Sequence, residues 1–177
     1  DPDLFPWREP RLDIGLAITI GYIGRLVPEK GVDLLLNAIA GMDENVNLRL
    51  IGAGPEYHSL QRTAAELGIV DRVEFIPWLD SENIPIQLRR MDALVLPSRT
   101  QSNWKEQFGR VLLEAMATGV PVIGSNCGEI PNVIGDAGLV FTEGDQTALT
   151  AALLKLTTNP ALRQELAKRG RTRMLTK

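Results

Sequence analysis

Two carboxylates stand in the stretch NWKEQFGRVLLEAMATGVPVI, residues 103–123: Glu106, just ahead of a glycine, and Glu114, inside an apolar run that breaks at Thr118-Gly119. The apolar spacing predicts a helix, with Gly109 at its mouth where a backbone or a ligand can come close. A helix start presents unpaired N–H groups and the positive end of the helix dipole. Phe108, Gly109 and Arg110 supply those N–H groups, so an anion resting there has one carboxylate on either side. Carboxylates repel phosphate but accept hydrogen bonds from paired hydroxyls, such as those of a sugar or a ribose. The set suits a ligand with a diphosphate in the middle and polyols at both ends, which is a nucleotide sugar. Taken singly, Glu106 reads as a charge at a helix N-terminus and Glu114 as a solvent-facing one. Those readings leave the glycine and the nearby cations unrelated.

The cations come from a second loop, GRLVPEKG, residues 24–31, which carries Arg25 and Lys30 after an apolar run. It lacks the glycine-lysine-serine order of a phosphate-binding P-loop and is no dinucleotide fingerprint. Alone it reads as a solvated turn. A third loop, GAGPEY, places Gly52 and Gly54 after a strand, but Tyr57 stands where a third glycine should be. That disfavours nicotinamide or flavin, and Pro55 suits the first turn of a helix.

The elements that must position these loops alternate along nearly the whole chain. Strands are expected in AITIGYIG, LRLIGAG, RVEFIPW, ALVLPS, VPVIGSN and AGLVF, and helices in KGVDLLLNAIAGM, EYHSLQRTAAELG, SENIPIQLRRM, VLLEAMATG, DQTALTAALLKLTTN and PALRQELAKRGRTR. Strand, crossover helix and strand in repetition predict an α/β fold, a Rossmann-like parallel sheet with helices on both faces. Such sheets bind ligands at the carboxyl ends of their strands. The opening, DPDLFPWREPRLD, is polar and Pro-rich and reads as a linker over residues 1–14, with the nucleotide-sugar-binding domain over 15–177. Its Asp1-Pro2-Asp3 matches a D-x-D metal pattern by letters alone, and no metal site is expected.

Composition narrows the function. With 177 residues, 44% hydrophobic and 23% charged, the chain fits one globular domain. A formal net charge of -3 gives no bulk attraction to a polyphosphate backbone, which argues against nucleic acid. The single cysteine, Cys127, excludes an internal disulfide framework, fits a reducing cytoplasmic setting, and reads as a packing residue. The single histidine, His58, has no second imidazole for a metal and reads as a helix-surface residue. No apolar run reaches the roughly 20 residues of a membrane span.

GRLVPEKG, LRLIGAGPE, RVEFIPW and the long run from LPSRTQSNWKEQFGRVLLEAMATG to AGLVF resemble the C-terminal domain of retaining glycosyltransferases, glycosyl transferases group 1, which carry an E-x7-E motif on one half of a two-domain GT-B enzyme. The resemblance implies that Glu106 contacts donor-sugar hydroxyls, Glu114 the ribose, and Arg25 and Lys30 the diphosphate. It implies further that Phe108 and Gly109 lie in the loop touching sugar and phosphate, with the base near Ile76 to Trp78. No cofactor is implied beyond a nucleoside-diphosphate sugar as donor substrate. The acceptor implied is a glycan or a lipid-linked molecule, met through an N-terminal domain that these residues lack. A lipid acceptor would place the intact enzyme at the inner membrane face, although no basic amphipathic stretch supports membrane association. This half alone is expected to be inactive in transfer. One departure is that the family's usual glycine pair reads Gly128-Glu129 here. Two other readings stay open: a nucleotide-sugar-binding module without transfer, and a sugar-nucleotide epimerase of the same fold.

Overall fold

A computed structural model describes residues 5–11 and 17–176. Within them, six apolar runs become strands: β1 (Ile18–Ile23), β2 (Val46–Ile51), β3 (Val73–Ile76), β4 (Ala93–Leu96), β5 (Val122–Ser125) and β6 (Gly138–Phe141). All neighbouring pairs are parallel, in the order β3-β2-β1-β4-β5-β6. A parallel sheet is covered on both faces, which is why β4 and β5 are buried at every position and read as continuous apolar runs.

Among the described residues, seven α-helices connect and cover the strands: α1 (Val32–Ala40), α2 (Tyr57–Glu66), α3 (Ile84–Leu88), α4 (Arg110–Thr118), α5 (Ile130–Ile134), α6 (Gln146–Thr158) and α7 (Pro160–Thr176). Helix α1 packs against α2 and α6, and α4 against α3, α5 and α7. Helix α1 forms within the expected KGVDLLLNAIAGM run and turns an apolar stripe inward, with Val32, Leu35, Leu36 and Ile39 buried. Among the described residues, no helix is long and apolar enough to cross a membrane.

One expectation needs correcting, and one element was not read. Residues 81–91, read as one helix, divide into a 3-10 turn over Ser81–Asn83 and the short α3. Pro85 has no N–H to donate and favours a first turn, so the helix starts at Ile84 instead of continuing from Ser81. Helix α5 was not anticipated, because its five residues, IPNVI, are too short to show a period.

Of the expected linker, residues 5–11 lie along the amino edge of the sheet. The Arg8 amide donates to the Thr118 carbonyl at 2.9 Å, and its guanidinium stands 3.5 Å from Asp92. Asp92 in turn accepts from the Thr19 amide at 2.9 Å. Residues 1–4 and 12–14, with the Asp-Pro-Asp triplet, lie outside the described residues.

The order of strands places the site. Crossovers run outward in one direction from β1 and in the other from β4, so the loops after these two strands part company and leave a crevice at their carboxyl ends. Across that crevice the two loops touch: a Cβ built on Gly31 would lie 2.2 Å from the Pro97 carbonyl oxygen. Gly31 also has φ of 66°, which costs other residues about 1–3 kcal/mol. Gly31→Ala should therefore lose more stability in urea denaturation than Gly144→Ala, where φ is 74° and nothing stands within 4 Å. The clash adds about 1–3 kcal/mol to the shared conformational cost, and equal losses would contradict this close approach.

Candidate functional site

Lys30 and Glu106 meet in the crevice. Lys30 ends the short 3-10 turn Pro28–Lys30 that precedes α1, and Glu106 lies in the long loop between β4 and α4. Lys30 Nζ donates to Glu106 Oε2 at 2.5 Å. Both side chains are mostly out of water, at 16% and 11% exposure. Ser98, fully buried at the end of β4, donates its hydroxyl to the same Oε2 at 3.0 Å. Lys30 Nζ also stands 5.0 Å from the centre of the Trp104 ring, a cation–π arrangement. An ammonium has three donors and a carboxylate two acceptor oxygens. One donor and Oε2 are used within this cluster, which leaves further donors on Lys30 and the second oxygen, Oε1, for a ligand.

The backbone around Glu106 is fixed as tightly as its side chain. The Glu106 amide donates to the Cys127 sulfur at 3.4 Å, and its carbonyl accepts from the Glu129 amide at 3.0 Å. A Cβ on Gly128, whose φ is 56°, would fall 2.0 Å from the Glu106 carbonyl oxygen, so only glycine lets this strand-end loop pass. Gly128-Glu129, the departure noted in the sequence, thus has a local purpose in holding Glu106. Cys127 is buried and serves packing, as read. His58 is exposed on α2.

The loop bearing Lys30 is anchored from the opposite side of the crevice. Arg99 donates its amide to the Glu29 carbonyl at 2.9 Å and its Nε to the Pro28 carbonyl at 3.0 Å, and its guanidinium pairs with Asp33. Tyr22, fully buried, donates its hydroxyl to the Arg25 carbonyl at 2.7 Å. Burial first, then the charges of Glu106 and Glu29, push its phenol far above the usual range, so Tyr22 stays a neutral donor. Ser98, Arg99, Trp104 and Tyr22 were not singled out from the sequence. Ser98-Arg99 did carry a signal, a polar pair one proline beyond a fully apolar strand.

The remaining expected residues fall in two places. Trp78, Arg110 and Glu114 line one cavity of about 410 Å³ next to Ile23 and Gly24, at the carboxyl ends of β1 and β3. Gly109, in a left-handed conformation, opens α4, and no side chain caps its amides. Glu114 projects from the second turn and pairs with Arg110 Nε at 2.8 Å. Arg25 is exposed and makes no ion pair among the described residues. Two residues stand apart. Ile76 ends β3 and packs against the core, and the Phe108 ring, 54% exposed, faces a different cavity of about 350 Å³ beside Val133 and Met174.

This geometry is that of a Rossmann-like α/β domain, with a crevice at the switch point bordered by cations, carboxylates and open helix amides. Residues 13–173 match the family model described as glycosyl transferases group 1. The chain belongs to that family. It is 32% identical over 178 residues to a GDP-mannose-dependent alpha-(1-6)-phosphatidylinositol monomannoside mannosyltransferase of Mycolicibacterium smegmatis, covering 97% of this chain and 47% of that protein. It is 38% identical over 154 residues to an N-acetyl-alpha-D-glucosaminyl L-malate synthase of Bacillus anthracis, covering 85% and 39%. Sucrose-phosphate synthase from Thermosynechococcus elongatus superimposes with a TM-score of 0.86 and 27% identity, over 99% of this chain and 46% of that one. The C-terminal domain of a glycosyl transferase group 1 family protein from Francisella tularensis gives 0.85 and 26%, over 100% and 97%. The chain spans about half the length of the curated relatives it matches. It corresponds to one domain of the GT-B glycosyltransferases.

Burial raises the Glu114 carboxyl above its ordinary value, outweighing Arg110, which draws it down. A carboxyl raised in the folded state contributes stability in acid, and that contribution is lost as pH rises through the folded value. Glu114→Gln removes it. Measured by urea denaturation, the variant should gain on the wild type as pH is raised from about 4 to about 7. A stability difference that stays flat over this range would contradict the buried setting of Glu114.

Proposed function

We propose that this chain is the donor-binding domain of a retaining glycosyltransferase that moves a hexose from a nucleoside-diphosphate sugar to a glycan or lipid-linked acceptor. The observation that carries the reading is the meeting of Lys30 and Glu106 at the switch point, in a crevice that α4 borders with uncapped amides. The diphosphate lies against the amides that follow Gly109, with Lys30 on one side and exposed Arg25 reaching over it. Glu106 Oε1 accepts from hydroxyls of the sugar, and Glu114 from the ribose. The base extends toward Trp78.

Breaking the anomeric C–O bond leaves negative charge on the β-phosphate. Lys30, Arg25 and the α4 amides take up that charge in place, with no metal required and with no reorganisation at the moment of bond breaking. The departing phosphate accepts the acceptor's proton on the face that the acceptor enters, which keeps the anomeric configuration. The acceptor itself is bound by the other half of the enzyme.

Incubating the intact enzyme with donor, with and without acceptor, tests this reading. Transfer with retained configuration, followed by NMR of the product, is expected. Isomerised donor without acceptor would mark an epimerase, and no turnover a binding module. Lys30→Ala should lower kcat by a few-hundred-fold, on the order of 3 kcal/mol of barrier, with a smaller change in donor KM. An unchanged kcat would remove Lys30 from the charge-stabilising role.

A further inference from the structure

The cavity that holds Trp78 and Glu114 contains one more carboxylate, Asp80, which the donor site as described does not use. Asp80 occupies the cap position of the 3-10 turn Ser81–Asn83, where an aspartate normally accepts from the turn's amides. Its side chain makes no such bond. Among the described residues Asp80 enters no ion pair and no side-chain hydrogen bond. The cavity's other carboxylate, Glu114, is committed to Arg110. Beside Asp80 the Trp78 ring is 57% exposed and gives a flat apolar surface for a base or a ribose. An unpartnered carboxylate lining the cavity toward which the donor reading extends the base, two residues from an exposed aromatic ring, is placed to read the edge of that base.

A carboxylate only accepts hydrogen bonds, so it selects a base by its donors. Guanine offers two neighbouring donors, N1–H and the N2 amino group, which the two carboxylate oxygens take together as a bidentate, charge-assisted pair. Uracil has a single N3–H between two carbonyl oxygens. Adenine and cytosine set a ring nitrogen lone pair next to their amino group. Each of these three gives the carboxylate one hydrogen bond and places an acceptor against its charge. We propose that Asp80 is a specificity-determining residue that selects guanine, so that the donor is a GDP-sugar. This rests on the nucleotide-sugar reading of the crevice.

Calorimetric titration of the protein with GDP, IDP, UDP and ADP tests it. GDP should bind at least about tenfold more tightly than UDP and ADP, and IDP, which lacks the N2 amino group, about tenfold more weakly than GDP. Asp80→Asn, at an exposed position with no partners to lose, should keep the wild-type melting temperature and bring GDP down to the level of UDP. The proposal is overturned if UDP or ADP matches GDP, if IDP matches GDP, or if Asp80→Asn preserves the preference. In those cases diphosphate binding persists and the donor-site reading stands. Binding of none of the four would overturn both.

Discussion

A lysine and a glutamate from opposite sides of the switch point lie 2.5 Å apart, largely withdrawn from water. Neither would be tolerated there alone: removing one member of a buried ion pair typically costs about 3–5 kcal/mol, because the other charge is left without a partner. The pair by itself adds little to stability, since desolvation offsets much of the attraction. Its consequence is geometric. It joins the loop after β1 to the loop after β4, the two loops that the strand order otherwise sends in opposite directions. It also leaves acceptor and donor capacity pointing into the crevice, with Oε2 occupied by Lys30 and Ser98 and Oε1 available.

Much of the surrounding structure serves that junction. Arg99 fastens the Lys30 loop through two backbone carbonyls and Asp33, and Tyr22 fastens it from below through Arg25. Cys127, Gly128 and Glu129 fasten the Glu106 backbone, and Thr100 at the root of the same loop is held by Glu143. Preorganisation of this kind matters where charge develops during a reaction, because groups already in place need not move. In the proposed reaction the developing charge is on the β-phosphate, next to Lys30.

The sheet was legible in the sequence because short apolar runs bounded by turn residues alternate with longer runs of helical character. The long helices α1, α2, α4, α6 and α7 were legible for the same reason. The five-residue α5 was not, since a single turn and a half carries no period. At the site, Glu106, Glu114, Arg25 and Lys30 could be chosen by residue type and by position after a strand. Their pairing could not be. The contact between Lys30 and Glu106 spans three crossovers and depends on β1 and β4 being neighbours, which the order of residues along the chain does not state. Ser98, Arg99 and Trp104 were hidden for a related reason: each acts on a partner brought from the far side of the crevice or from the end of the same long loop.

The central claim is that Lys30 and Glu106 act as one unit. A double-mutant cycle with Lys30→Met, Glu106→Gln and the double variant, read by urea denaturation, measures this directly. Coupling of about 1–3 kcal/mol is expected, with the double variant more stable than the two single losses predict. Single losses that add within about 0.5 kcal/mol would show the two side chains to be independent and would contradict the account.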